Sequence, residues 1–448
     1  IRLTLASKLD KTGFFYHAYT LDFRGRIYTV TEMLSPQSGD FDKGLLQFAN
    51  KVRVTKEGMY WLMVHVANSF DGVDFGKGPA SDKVSFDDRV RWVGNNLDKL
   101  RAISEDPYKN TLWMDNETIK KNPSFQRLAA AFGLSEAIDT GYSRLPVQLD
   151  GSCNGSQHWS AIMRDPKLAE QVNVSPNEVP GDLYQLVANV ATDYCKEGET
   201  KWQEIFYEHW EQQVPRKVVK RSTMCDAYGI TDHGIRRYCR EEGHLNWIEN
   251  PTDKTQAVNE LAVIIRSSLD GALKSANEGK VFLQDLTELC ASHGKHASWY
   301  TPTGFKVINR YTQERVKVLD THLYRNSRLQ LSIVEDTKNP SVALAIQAIP
   351  PNYIHSIDAA HMMLTILRMY KQGICSYSMI HDSFGCHCSY VPLMREALTE
   401  TFYEIHKEPL LRKFKEDIEN VVGPIGRLVP EQGDFNIEDV RESLYLFG

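Results

Sequence analysis

The sequence predicts an α+β protein in which helices predominate, and three observations support this fold class. Most of the chain shows the apolar spacing of amphipathic helices, whereas residues 299–334 alternate apolar and polar side chains as half-exposed strands do. Short apolar segments at 146–149 and 375–390 adjoin polar turns. The 448 residues, 42% hydrophobic and 25% charged, can bury a large core and form roughly three domains.

Charge and cysteine content exclude several classes of protein. The net charge is −6, from 52 basic and 58 acidic residues, so there is no global basic field, although a local basic patch could still meet phosphate. No apolar run approaches the ~20 residues of a membrane helix, so we expect no membrane contact. The eight cysteines include no Cys-x-x-Cys pair, which argues against a disulfide framework or a structural zinc site and is typical of a reducing cytoplasm.

The first segment that could take part in catalysis contains a predicted strand. After a short N-terminal helix and extended segments near Tyr19–Tyr28, the apolar segment Pro146–Leu149 predicts a strand that runs into Asp150. Small polar residues follow, so the carboxylate would stand at a sheet edge with little steric cover, as a Mg²⁺ ligand needs. A turn followed by a helix cap is the alternative.

The second such element is a hairpin. The segment His381-Asp382-Ser383 interrupts an apolar stretch and predicts a β-hairpin with Asp382 at its tip, with an ordinary turn as the alternative. Asp150 and Asp382 are 232 residues apart (382 − 150), so only the fold can bring them together. If it does, they could hold two metal ions about 3.5–4 Å apart, the arrangement for in-line phosphoryl transfer.

The third element is a basic helix. Pro215 predicts its start and Gly229 its end. Arg216, Lys220 and Tyr228 are separated by multiples of four residues and so lie along one face. Lys220 and Tyr228 would be about 12 Å apart along the axis, similar to the reach of a nucleoside triphosphate from phosphates to base. A solvated basic face with a core tyrosine is the alternative. Further helices are expected at 182–196, 201–213, within 254–294, at 356–371 and through the last forty residues.

Two other basic segments suit nucleic-acid contact. Arg24 and Arg26 flank a glycine between aromatic residues, which suits phosphate contact beside a stacking surface. A surface turn held by an arginine–carboxylate pair is the alternative. The strand region 305–328, which includes Arg310 and Arg315, has six basic residues against two acidic ones. Such a ribbon can enter a DNA groove, and an ordinary antiparallel ribbon is equally compatible.

Four of these segments form an ordered set of motifs along the chain. They are Asp22-Phe-Arg-Gly-Arg, Asp150-Gly-Ser-Cys-Asn-Gly, the Arg216…Lys220…Tyr228-Gly helix and Ile380-His-Asp-Ser-Phe-Gly. In order and chemistry they resemble the single-subunit, bacteriophage-type DNA-dependent RNA polymerases, a family that includes mitochondrial relatives. The resemblance covers nearly the whole chain, and the segments Lys220-Arg-Ser and Lys43-Gly-Leu-Leu look closer to the phage branch. It implies a right-hand polymerase fold with palm, fingers and a promoter-specificity β-hairpin.

The resemblance also implies roles for single residues. Asp150, Asp382 and the main chain of Gly151 would bind two Mg²⁺ ions. Lys220 would hold the incoming triphosphate with Arg216 and protonate the leaving pyrophosphate. The other residues matched to the nucleotide site are Tyr228, Tyr184, His381 and His355. Those expected to contact nucleic acid are Arg24, Arg26, Arg221, Arg310 and Arg315.

The implied domains divide the chain into four segments. They are a first palm part at 1–214, fingers at 215–298, the specificity hairpin at 299–335 and a second palm part at 336–448 that ends in acidic helices. The family's thumb and N-terminal promoter domain precede the Asp22 motif, which only 21 residues precede here. We therefore expect either a heterodimer, in which a second polypeptide carries those parts and docks on the apolar segment Ile1–Tyr19, or their removal.

The functional prediction is a catalytic subunit that adds ribonucleoside triphosphates to an RNA 3′ end on a DNA template. It would act on promoter DNA and transcribe bacteriophage genes in the cytoplasm of an infected bacterial cell. One alternative is a family A DNA polymerase. Those enzymes place a Glu where this chain has Gly155, and a Glu after His-Asp where it has Ser383, and both differences favour RNA. The other alternative is a non-catalytic nucleic-acid-binding subunit, against which the presence of both aspartates argues.

Overall fold

The fold is a helix-rich α+β arrangement, which confirms the predicted class. It is seen in a computed structural model that describes residues 1–76, 78, 80–114, 124–324 and 327–448, with the backbone alone described at 322–324 and 327–329. Among these residues, no helix combines the length and apolar character needed to cross a membrane.

The described helices and strands are numbered here in chain order. The helices are α1 Arg2–Asp10, α2 Asp40–Gly44, α3 Lys56–Ser69, α4 Phe86–Asn95, α5 Leu97–Glu105, α6 Phe125–Thr140, α7 Asn154–Met163, α8 Pro166–Gln171, α9 Leu183–Glu197, α10 Lys201–His209, α11 Arg216–Asp226, α12 Asp232–Glu241, α13 Pro251–Ala272, α14 Lys274–Ser292, α15 Val342–Lys371, α16 Val391–His406 and α17 Leu410–Val422. The strands are β1 Tyr19–Leu21, β2 Ile27–Thr29, β3 Val52–Arg53, β4 Tyr142–Ser143, β5 Pro146–Asp150, β6 Ser298–Tyr300, β7 Lys306–Ile308, β8 Thr312–Tyr324, β9 Ser327–Pro340, β10 Ser378–Ile380 and β11 Ser383–His387.

The chain divides into two compact units. The first unit comprises Ile1–Leu183, Asp358–Glu408 and Asp434–Gly448, and the second comprises Tyr184–Ile357 and Pro409–Gly433. This division differs from the predicted boundaries at 214/215 and 335/336. Residues 409–433 were expected in the second palm part, but they join the second unit because α17 packs against β6 and α14. The names palm and fingers stay predictions.

The first unit is built on an antiparallel sheet in the order β10-β11-β5. Side chains alternate across a sheet, so Val147 and Leu149 of β5 lie on the same face as Phe384 of β11, and all three are buried. Helices α7 and α16 pack beside them and contribute the fully buried Trp159 and Phe402. This core fixes the sheet, and the polar residues that follow β5 and precede β11 lie at one end of it.

The second unit is formed by α9 from Tyr184 onward, α10 to α14, α15 as far as Ile357, α17 and two antiparallel hairpins, β6–β7 and β8–β9. Helices α13 and α14 bury apolar side chains such as Ile265 and Phe282. Trp299, Tyr353 and Phe414 form an aromatic cluster with ring centroids 5.3–5.8 Å apart. The long β8–β9 hairpin is the ribbon that the alternating pattern predicts.

Two predicted helical regions differ from the structure. Helix α15 begins at Val342 rather than Ser356 and contains Pro350 and Pro351, because buried residues on both sides of the prolines hold it in the core. The last forty residues are not helical throughout: α17 is followed by irregular chain and then a short 3₁₀ helix at Ile437–Glu442. The intervening stretch is rich in glycine and proline, and it begins at Gly423, whose φ is +95°.

Candidate active site

The two aspartates predicted as metal ligands lie next to each other in the first unit. The β10–β11 hairpin has a two-residue tip formed by His381 and Asp382, as predicted, and His381 has a φ of +51°. Strand β11 then pairs with β5, with Ser383 opposite Asp150. The Gly151 main-chain N–H donates to the Asp382 main-chain oxygen at 3.0 Å. The fold therefore brings together two carboxylates that are 232 residues apart in the chain.

This carboxylate pair has the chemistry of a cation site. Burial, followed by the charge of Asp150, raises the pKa of Asp382, although both residues remain accessible to solvent. Like charges held close together favour binding of a cation between them. The described residues contain no group of three or more His, Cys, Asp or Glu arranged to hold a metal. Two carboxylates are the hard oxygen ligands that Mg²⁺ prefers and lack the Cys or His ligands typical of zinc, and metal binding by this pair stays a prediction.

Residues 446–448 hold the end of β5 in place, and the sequence did not predict this contact. Gly151 forms a β-bridge with Phe447, and the Gly448 N–H donates to the Asp150 main-chain oxygen at 3.0 Å. The buried Gln157 side chain donates to the Leu446 oxygen at 2.7 Å. These contacts set the position from which the Asp150 side chain emerges.

The Asp22 motif forms a tight turn closed by its own carboxylate. Asp22 accepts hydrogen bonds from the main-chain N–H groups of Arg24 and Arg26 at 2.9 and 3.0 Å. Its other oxygen pairs with the Arg24 guanidinium at 2.6 Å. Gly25 has a φ of +90°, which a residue with a side chain rarely adopts. This geometry matches the arginine–carboxylate alternative, and nucleic-acid contact by Arg24 stays a prediction.

Asp358 on α15 is a site residue that the sequence analysis missed. It is buried and accepts two hydrogen bonds from Arg26, from Nε at 3.1 Å and from Nη2 at 2.5 Å. Asn154 donates to the same carboxylate at 3.3 Å. Burial raises the pKa of Asp358 to about 6, even though Arg26 opposes that rise. The Asp358 carboxylate on α15 thus contacts the Asp22 motif through Arg26 and the helix after Asp150 through Asn154. Arg26 is therefore one partner of a buried ion pair.

His381 lies beside this group as a neutral imidazole. Its ring centroid is 4.8 Å from that of Tyr28. Burial, followed by the charge of Arg26, lowers the pKa of His381 to about 4. Its Nδ1 is buried and has no hydrogen-bond partner among the described residues. The role of His381 in binding substrate stays a prediction.

The second unit brings three predicted nucleotide-binding residues together. Helix α11 begins directly after Pro215, as expected of a proline at a helix start. The Arg216 guanidinium lies 4.8 Å from the centroid of the Tyr184 ring, and the Lys220 ammonium 5.9 Å from it. Tyr184 is buried and Lys220 is exposed. The aromatic face therefore supports two cations, and the lysine remains accessible to an anionic ligand.

Tyr228 and His355 form a second aromatic group in the same unit. Tyr228 lies two residues beyond α11, in the turn that Gly229 ends with a φ of +74°. Its ring centroid is 4.7 Å from that of His355. Arg216 and Lys220 therefore lie in the first half of α11 and the aromatic pair lies beyond its C-terminal end, in the order that the spacing predicts; phosphate binding by the two cations stays a prediction.

The remaining predicted nucleic-acid contacts differ in their surroundings. Arg221 stacks 4.0 Å from the Tyr238 ring and pairs with Glu241 and Glu242 at 3.0 and 2.8 Å. Arg310 and Arg315 are exposed. The tip of the β8–β9 hairpin at 325–326 lies outside the described residues.

Comparison with known proteins gives matches along the chain. The model of the family described as DNA-dependent RNA polymerase matches residues 52–426. The whole chain aligns at 30% identity with the mitochondrial DNA-directed RNA polymerase 1 of Arabidopsis thaliana. It aligns at 31% identity with the chloroplastic DNA-directed RNA polymerase 3 of Nicotiana sylvestris and the chloroplastic/mitochondrial DNA-directed RNA polymerase 2B of Nicotiana tabacum. The chain spans 45%, 45% and 43% of these relatives, less than half the length of each.

Proposed function

The chain belongs to the DNA-dependent RNA polymerase family, and from this premise we propose that it adds ribonucleoside triphosphates to the 3′ end of an RNA on a DNA template. The observation that carries the proposal is the pairing of β5 with β11, which makes Asp150 and Asp382 neighbours. In the reaction the RNA 3′-hydroxyl attacks the α-phosphate, a new P–O bond forms, and pyrophosphate leaves. Ribonucleotides are favoured over deoxyribonucleotides by the family and by Gly155, so the DNA polymerase alternative has no support.

We propose that Asp150, Asp382 and the main-chain oxygen of Gly151 hold two Mg²⁺ ions. These are hard oxygen ligands, and Mg²⁺ completes its coordination with water and phosphate. Mg²⁺ bound there would stabilise the charge that develops on the α-phosphate and on the leaving group. Burial, and after it the charge of Asp150, raise the pKa of Asp382, and a bound cation would offset both effects, which supports this assignment.

The residues of α11 and its C-terminal turn act on the nucleotide in this proposal. Arg216 and Lys220 bind the triphosphate, and the Tyr184 ring limits where their cations can lie. The Lys220 ammonium donates a proton to the departing pyrophosphate. The phenol hydroxyl of Tyr228 hydrogen-bonds the ribose 2′-hydroxyl, and His355 packs against its ring. Charge stabilisation by these groups, rather than covalent chemistry, supplies the rate enhancement.

Substitution of the aspartates tests the function. Asp150→Asn and Asp382→Asn should each lose nearly all extension of an RNA primer annealed to a DNA template, because each removes an ionic metal ligand. Asp139→Asn, which alters an exposed aspartate paired with Arg101, is the matched control and should extend at the wild-type rate. Circular dichroism checks folding. Mg²⁺-dependent extension at a substantial rate by either active-site variant would refute the assignment.

The biological setting is a further proposal. The segments Lys220-Arg-Ser and Lys43-Gly-Leu-Leu favour transcription of bacteriophage genes in an infected bacterial cell, whereas the relatives above are named for mitochondria and chloroplasts. Immunoprecipitation from the native source distinguishes these settings, since recovery of organellar DNA would refute a phage role. The relatives carry their greater length on one chain and give no support to a separate second polypeptide, so the heterodimer stays a prediction.

A further inference from the structure

A buried ion cluster lies beneath the C-terminal end of α11. Asp226, the last residue of that helix, has a side chain only 1% exposed. Lys280 of α14 donates to its carboxylate at 2.7 Å and to its main-chain oxygen at 2.9 Å. Arg266 of α13 lies 3.5 Å from the other carboxylate oxygen. Two helices thus each supply a cation to the residue two positions before Tyr228.

The same arginine also holds the chain beyond Tyr228. Arg266 donates to the Ile230 main-chain oxygen and, at 2.9 Å, to the Asp232 carboxylate at the start of α12. The turn at Tyr228 and Gly229 is therefore tied down on both sides, at Asp226 before it and at Ile230 after it. An ion cluster that spans a turn in this way limits the backbone positions open to the residues between.

One side of this turn borders a cavity. A cavity of about 1140 Å³ within the second unit is lined by Gly229, Ile230 and Lys280. On the cavity side the turn lacks close-packed side chains, so the directional contacts of the ion cluster restrain it there. Charge burial at such a site is costly, and an apolar residue of similar size would often serve stability as well or better. Stability alone is therefore a weak explanation for three buried or half-buried charges at this turn.

We propose that Asp226, Lys280 and Arg266 are positioning residues that hold the Tyr228 phenol where it discriminates ribose from deoxyribose. The proposal rests on the proposed function, in which Tyr228 recognises the 2′-hydroxyl. None of the three needs to touch the nucleotide. Each acts through the backbone of the turn, because the hydrogen bond that rejects a deoxynucleotide depends on where the phenol oxygen lies.

The test compares ribo- and deoxynucleotide incorporation by the full chain on a primer–template. Asp226→Asn should lower the ratio of kcat/KM for the ribo- over the deoxynucleotide about 10-fold, with the larger change in the ribonucleotide term. Lys280→Met should do the same, and Lys280→Arg, which keeps the charge, should restore most of the ratio. Asp285→Asn is the control on α14, because its carboxylate pairs with Arg427 at the surface, and it should match the wild type.

Combination with Tyr228→Phe separates positioning from general stability. If the cluster acts through the phenol, Asp226→Asn added to Tyr228→Phe should change the ratio no further, since coupled residues are non-additive. Losses that multiply, or wild-type selectivity in both Asp226→Asn and Lys280→Met, would overturn the proposal. Unchanged selectivity in Tyr228→Phe alone would instead refute the role of Tyr228 in the proposed function. If Asp226→Asn does not fold, the Lys280→Met and Lys280→Arg pair decides.

Discussion

Removal of the Arg26 guanidinium should destabilise the first unit in a pH-dependent way. Among the described residues, Arg26→Ala leaves the buried Asp358 with one side-chain hydrogen bond, from Asn154 at 3.3 Å. The side chains of Arg26 and Asp358 are 13% and 2% exposed, so solvent cannot replace the lost partner. A carboxylate left in this state takes up a proton rather than remaining charged.

The structure sets the size of the effect. The pKa of Asp358 is raised to about 6, so at pH 7 the neutral carboxyl lies only about 1.4 kcal/mol above the ionised one. Protonation therefore limits the electrostatic loss to about 1.4 kcal/mol at pH 7. The lost hydrogen bonds and the lost packing of the arginine stem bring the total to about 2–4 kcal/mol.

The sign of the pH dependence follows from proton binding. Above pH 6 the variant's folded state binds one proton more than the wild type's, while the unfolded states bind equally. The deficit of the variant should therefore grow by about 1.4 kcal/mol per pH unit above pH 6 and become constant below it, where both folded states carry the proton. Urea unfolding of both proteins at pH 6, 7 and 8 measures this slope, and primer–template binding is measured in parallel.

Two further variants make the result decisive. Arg24→Ala leaves Asp22 with hydrogen bonds from two main-chain N–H groups, so it should cost less than Arg26→Ala, about 1 kcal/mol. The double variant Arg26→Met with Asp358→Leu should regain stability and lose the slope, because no unpaired charge remains. Wild-type stability in Arg26→Ala combined with weakened DNA binding would refute this reasoning and return Arg26 to the nucleic-acid surface.

Three more outcomes follow from the geometry. Tyr228→Phe should retain primer extension but accept deoxynucleotides more readily, because the phenol hydroxyl is lost while the ring remains. Gly385→Ala should lose about 1–3 kcal/mol in urea unfolding, since its Cβ would lie 2.7 Å from the Gln148 side chain. Burial lowers the pKa of His361 to about 4 and of His406 to about 3, so folded-state stability should fall as the pH drops from about 6.5 to 4, where only the unfolded chain takes up protons.

Gly385→Ala has two control variants, and a contradicting result is given for each of the other two outcomes. Gly94→Ala lies in α4 with no atom within 4 Å of the added methyl group, and it should be neutral or stabilising by about 0.5–1 kcal/mol. Gly385→Ala combined with Gln148→Ala should recover part of the lost stability. A urea midpoint unchanged between pH 7 and pH 5 would argue against neutral buried histidines. Unaltered ribose preference in Tyr228→Phe would assign selection to another residue.

The parts of the site with local signals could be predicted from the sequence. The strand that ends at Asp150, the two-residue tip at Asp382 and the helix after Pro215 each depend on neighbouring residues, and each lies where the pattern indicates. The proximity of the two aspartates depends on pairing between distant strands, which no local pattern specifies. The sequence therefore could not show whether the two aspartates are neighbours, and the pairing of β5 with β11 shows that they are.

Asp358 and Asp226 show why the rest could not be predicted. Each is a buried carboxylate whose partners, Arg26 for one and Lys280 and Arg266 for the other, come from distant segments. Asp358 lies in an apolar helical stretch, where a charged residue signals that some partner exists, since such residues are seldom buried alone, whereas Asp226 lies on a basic helix and gives no such signal. Nothing in the sequence identifies that partner. The early start of α15 was missed for a related reason, because tertiary packing outweighed the helix-breaking tendency of two prolines.

The pairing of β5 with β11 has a consequence for how the chain matures on the ribosome. In the described sheet β5 has no other neighbour, and its partner begins 233 residues after Asp150 (383 − 150). At roughly 5–20 residues per second, translation leaves the β5 edge without its partner for about 10–50 s. An apolar strand with an open edge is prone to aggregate during that interval. Nascent chains that stall before β11 should therefore be prime clients of chaperones that shield exposed strands.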